Sequence, residues 1–146
     1  MNAPGDSLTA RELRFALLIL VVGTAAGAVG PMGGAGRWPV VLLVSVASIL
    51  VSFLVHLAVL ALFRVAKGRR EAAALWATVP PDGGHMAQVG IAGLVFVPFE
   101  IIIMVVLIKV RAKLATGPAV LVALAGRAAA LGVSYWLRPV LKALFR

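Results

Sequence analysis

Four long apolar stretches, separated by polar or glycine- and proline-rich breaks, organise this chain. They run over residues 13–30, 39–63, 89–108 and 119–137. Helices of about 18–25 residues, rising ~1.5 Å per residue, are long enough to cross a ~30 Å hydrocarbon core. The pattern predicts an all-α fold, an integral membrane bundle of four transmembrane helices in a single domain over 1–146. The basic segment 64–88 would be a cytoplasmic loop. Pro98 has no N–H to offer the carbonyl of Leu94, so the third helix is expected to kink there.

The polar residues inside these stretches are few and regularly placed. Ser45, Ser48, Ser52 and His56 are spaced three, four and four apart, which puts all of them on one helical face. Such serines commonly bond back to their own helix, and a histidine beside them is more often a satisfied core residue than a ligand. The sharper reading is a lined pathway or proton site. Glu100 is the one acidic residue within an apolar stretch; Asp6, Glu12, Glu71 and Asp82 all lie outside. A carboxylate at membrane depth must face protein or water.

In the fourth stretch Ala123, Arg127, Ala130, Ser134 and Arg138 repeat at intervals of four, three, four and four, a small and polar stripe facing the bundle. Glu100 lies eight residues before the end of the third stretch, and Arg127 lies nine after Pro118. Both therefore sit ~12–14 Å below the same boundary. Helices joined by a short turn are neighbours, so Glu100 and Arg127 are expected to pair. In the first stretch Gly23 and Gly27 form a GxxxG pair suited to close helix packing.

The breaks carry interface signals. Residues 1–12 are a polar tail in which Asp6-Ser7 could cap a turn before Leu8. The first stretch opens with Arg11 and Arg14 and ends in Ala26-Gly27-Ala28, as a signal peptide does; it is read as an uncleaved first span. Gly30–Gly36 and Pro80–Gly84 are turns, and Trp38 beside Arg37 marks a headgroup level. Arg64, Lys67, Arg69 and Arg70 form a dense basic cluster, expected to anchor on cytoplasmic headgroups, anionic lipids among them. Glu71–Ala77 would continue as a helix along the membrane surface. Tyr135 and Trp136 mark the other interface, with 138–146 a basic tail on it.

Composition agrees with this pattern. The chain is 62% hydrophobic and 13% charged, against ~45–50% and ~25% for soluble domains. Its net charge of +9 sits at the ends of apolar runs, which favours a membrane protein over a nucleic-acid binder. Four alternating spans would put nine lysines and arginines on the side of the termini and the 64–88 loop, and four opposite. Both termini are thus expected in the cytoplasm, with Lys109, Arg111 and Lys113 on the wrong side. The alanine, glycine, valine and arginine content suggests a GC-rich bacterial gene, hence a multi-pass protein of the bacterial inner membrane.

The candidate chemistry is sparse. With no cysteine, disulfides, thiolate metal sites and cysteine nucleophiles are excluded. Ser52 and His56 stand at i, i+4, but no second carboxylate within the apolar stretches could orient the histidine and no oxyanion loop follows. Asp82 and His85 lack a third ligand, and Gly30–Gly36 lacks the Gly-Lys-Ser/Thr ending of a phosphate loop. No catalytic residue, metal or cofactor is expected. Two functions remain. One is a small subunit that scaffolds or stabilises a larger membrane complex, with Glu100–Arg127 as a structural pair and other membrane subunits or further copies of itself as partners. The alternative is a small oligomeric transporter or channel, with Glu100 as the coupling site and His56 and the serine stripe lining the path.

Overall fold

A computed structural model describes residues 7–29, 38–79 and 91–145, without the side chains of 26–29 and 91–97. Among the described residues there are five helices and no strands: α1 (Ala10–Val29), α2 (Trp38–Leu62), α3 (Lys67–Thr78), α4 (Ile91–Ala112) and α5 (Thr116–Leu144). Two of them, α2 and α5, are long and apolar enough to cross a membrane. The expected turns at 30–36 and 80–84, together with Arg37, Asp82 and His85, fall outside the described residues.

Local chemistry sets the starts and stops. Helix α1 opens on a capping box: the Glu12 backbone N–H donates to Thr9 Oγ1 (3.2 Å), and the Thr9 N–H donates to Glu12 Oε2 (3.1 Å). The N-cap of α1 is therefore Thr9, while Asp6 of the Asp6-Ser7 cap expected before Leu8 falls outside the described residues. Helices α2 and α4 stop in the same way, each followed by a basic residue in the left-handed region, Arg64 (φ 56°) and Lys113 (φ 54°). After Arg64, the Val65 N–H reaches back to Leu60 O (3.1 Å), the long-range bond of a Schellman-type end. Holding a residue with a Cβ in this region costs ~1–2 kcal/mol relative to glycine.

Helix α3 departs from expectation. Instead of lying along a surface, it packs between α2 and α4, with Ala72, Ala73, Ala74 and Ala77 at most 2% exposed. The reason is size: four alanines leave both flanks of the helix smooth, so neighbouring backbones can come close. Ala73, Ala74 and Ala77 join Leu60, Met104, Ile108, Ala119 and Val122 in one apolar cluster.

That cluster fixes the helix directions. Near one end of the bundle, Leu60 of α2 meets Ile108 and Ala112 of α4 and Ala119 of α5. Toward the middle, Ser48 and Ser52 of α2 meet Glu100 and Met104 of α4 and Arg127 and Ala130 of α5. So α2 and α4 run parallel and α5 runs opposite to both. The simple alternation expected for 39–63 and 89–108 does not hold, because α3 turns back along α2 before α4 begins. Helix α1 starts at the end where α4 finishes, where Glu12 pairs with Arg111 and Phe15 packs 6.3 Å from Trp76.

The packing is inverted relative to a soluble protein. Ser45, Ser48, Ser52, His56, Glu100 and Arg127 are all buried, while large apolar side chains such as Leu18, Leu54, Ile102 and Leu121 face outward. Pro98 and Pro139 both lie within helices, and α5 continues unbroken from the fourth apolar stretch past Pro139 to Leu144. The basic tail is thus part of that helix rather than a separate surface segment.

Candidate functional site: a buried polar seam

The serine stripe of α2 faces α5 over its first half. Ser48 Oγ lies 3.0 Å from Ser134 Oγ and 3.4 Å from the carbonyl of Ala130. Ser45 and Ser52 are buried on the same face, and Ser52 also borders a cavity. Spacing alone puts these side chains on one face; the matching stripe of small residues on α5 (Ala123, Ala130) lets the two helices approach closely enough to bury it.

Beside the serines, Arg127 and Glu100 meet. Arg127 Nη1 stands 3.1 Å from Glu100 Oε1, with both side chains more than 90% buried. Each is brought in by a different helix at the same depth below the α4–α5 turn. A charge-assisted bond in a dry setting offsets the large penalty that either group would incur alone.

The pair borders a cavity of about 40 Å³, also lined by Ser48, Ser52, Thr78 and Met104. Such a volume exceeds the ~10–15 Å³ that one water needs but is far below the several hundred Å³ of a small-molecule site. Its lining is mostly apolar, with the ion pair and the hydroxyls of Ser48, Ser52 and Thr78 as its polar groups, and it has room for water or a small ion.

His56 is set apart from this cavity. Its Nδ1 lies 3.3 Å from Thr78 Oγ1, and that hydroxyl donates to the carbonyl of Ala74 at 2.7 Å. With the hydroxyl proton committed, His56 Nδ1 must be the donor, which leaves the Nε2 lone pair on the far side of the ring. Nε2 is buried without a hydrogen-bond partner and sits against Gly126, where an added Cβ would come within 2.0 Å of it. Gly126 is needed to make room for the ring. The Ser52–His56 contact that a serine nucleophile would require is not formed, since Nδ1 goes to Thr78 and Nε2 faces Gly126.

Other candidate residues are dispersed. Pro98 is exposed on α4. Arg64, Lys67, Arg69 and Arg70 surround the α2–α3 turn at the end of the bundle, away from the cavity. A side chain at Gly23 would meet nothing within 4 Å, so among the described residues Gly23 makes no close helix contact, and Gly27 falls among the undescribed side chains. Two functional positions were missed in the sequence. Thr78 lies beyond the apolar stretches and only α3's return brings it to the seam, whereas the Thr9–Glu12 box was legible as T-x-x-E.

The chain matches no known protein family, and comparisons with curated proteins and with solved structures find no match.

Proposed function

We propose that this protein is a small integral subunit of a larger membrane assembly, spanning a bacterial inner membrane with α1, α2, α4 and α5, with α3 entering the bilayer between α2 and α4, and with α4 kinked at Pro98. In this reading Glu100–Arg127 sets the register of α4 against α5 and has no part in turnover. The observation that carries it is the closed ion pair beside a cavity sized for water. An ionised carboxylate held by arginine is poorly placed to load and release a proton near neutral pH, and the cavity beside it is small. The apolar outer faces of four helices then meet lipid tails and neighbouring subunits.

The test is purification of the tagged native protein in mild detergent, with mass spectrometry of what accompanies it. A stoichiometric different membrane protein supports the subunit reading, and a lone homo-oligomer sinks it.

One observation favours the alternative, a small oligomeric transporter or channel: Glu100 and Arg127 share their cavity with the hydroxyls of Ser48, Ser52 and Thr78. That lining could hold a small ion in transit. Glu100→Gln in a liposome flux assay separates the two, because only the transport reading requires flux in the parent protein and its loss in the variant.

A further inference from the structure

Three basic stretches that are far apart in sequence share one end of the bundle. Arg11 and Arg14 open α1, the cluster from Arg64 to Arg70 surrounds the α2–α3 turn, and Lys109 to Lys113 end α4. The parallel course of α2 and α4 brings the last two stretches together, and the Glu12–Arg111 ion pair brings in the first. Two acidic residues, Glu12 and Glu71, belong to this end, against nine lysines and arginines. At the opposite end the described residues carry Arg138 and Lys142.

A second observation is independent of charge. The two turns at this end are built alike. Each has a left-handed cation (Arg64 or Lys113), then an inward apolar residue (Val65 or Leu114), an extended alanine (Ala66 or Ala115) and a new helix. Glycine is the residue that this backbone conformation favours. Here both positions hold an exposed cation instead. Strained backbone is retained where the side chain is useful. The negative end of the α4 dipole already has Lys109 and Arg111 in its last turn, whereas α2 has no basic residue in its last turn and Arg64 serves that end as well.

We infer that this end is a docking surface for the phosphate headgroups of anionic phospholipids, with Arg64 and Lys113 as its two projecting contacts. The inference rests on the membrane reading proposed above. The occupant is a lipid layer rather than an acidic protein because the cations come from three separate segments, the start of α1, the α2–α3 turn and the end of α4, and lie where outward apolar residues such as Leu13, Leu62 and Val110 give out. Cations spread over several helix ends at that boundary match a layer of headgroups.

The test uses the full chain in a neutral detergent, titrated separately with phosphatidylglycerol, phosphatidylcholine and inorganic phosphate, and read by native mass spectrometry and thermal shift. Phosphatidylglycerol should bind and raise Tm, and the other two should not. The Arg64→Gly/Lys113→Gly variant should lose affinity for phosphatidylglycerol by roughly five-fold for each cation removed. Should that variant fold poorly, Arg11→Gln/Arg14→Gln, which leaves both turns intact, should show a loss of the same order. Arg138→Gln/Lys142→Gln, at the other end, should leave affinity unchanged. Equal binding of phosphatidylglycerol by the glycine variant and the parent overturns the proposal. So does equal stabilisation by phosphatidylcholine or by free phosphate, or an equal loss in the Arg138/Lys142 variant. Recovery of the untreated chain in the soluble fraction would instead overturn the membrane reading itself.

Discussion

At the scale of single residues, two contacts dominate the interior. Arg127 and Glu100 are each buried to less than a tenth of their exposure and bonded to one another. Removing one partner strands the other charge, so Arg127→Ala should cost about 3–5 kcal/mol, seen as a large drop in Tm in detergent. Replacing both, as in Glu100→Leu/Arg127→Met, should recover most of that loss if the pair serves only register. Equal Tm for Arg127→Ala and the parent would remove the pair from any structural role. The second contact is His56 on Gly126. A methyl placed 2.0 Å from Nε2 must displace the ring, so Gly126→Ala should cost about 1–3 kcal/mol. Adding His56→Ala should relieve it, and a double-mutant cycle would show strong coupling; additive effects would mean that the ring moves freely.

At the scale of elements, α3 changes the interior. Its alanine faces allow it to enter where a bulkier helix could not, and its C-terminal Thr78 supplies both the partner of His56 and a wall of the cavity. The link between α1 and α4 is electrostatic. The Thr9 backbone N–H holds the Glu12 carboxylate below its ordinary pKa; partial burial opposes this, while the Thr9 hydroxyl and the Arg111 guanidinium add to it. A carboxylate whose pKa is lowered on folding contributes stability above its unfolded pKa and loses it as pH falls through the folded value. Parent and Glu12→Gln should therefore differ in Tm at neutral pH and converge in acid. A gap that stays constant down to pH ~3 would show that the carboxylate's charge is not what joins α1 to α4.

At the scale of the whole molecule, α3 turns the chain back along α2 before α4 begins, so that α2 and α4 run parallel. Helices α1, α3 and α5 run one way, and α2 and α4 run the other. The start of α1 and the end of α5 therefore lie at opposite ends of the bundle. Placed in a membrane with its richly basic end in the cytoplasm, the chain would have residue 7 inside and residue 143 outside. Since the chain has no cysteine, Ser7→Cys and Ala143→Cys can be labelled singly with an impermeant maleimide in intact cells and in inverted vesicles. Opposite labelling is expected. Labelling from the same side would restore the alternating arrangement of four spans.

The sequence by itself determined which segments are helical and which of their faces are polar. Periodicity and apolar length are local properties, so the serine stripe, the stripe containing Arg127, and the common depth of Glu100 and Arg127 could all be read from spacing. The α4–α5 turn is short, which makes their neighbours predictable too. Only the tertiary structure decided the path between α2 and α4. Lys67–Thr78 is too short and too polar at its start to register as a bundle helix. Its alanines carry no hydrophobic signal strong enough to distinguish a buried helix from a surface one. Contacts between distant segments, such as Leu60 with Ile108, His56 with Thr78 and Gly126, and Glu12 with Arg111, depend on which way each helix runs. Direction is set by how small and large side chains fit together across the bundle, and no stretch of sequence holds that information alone.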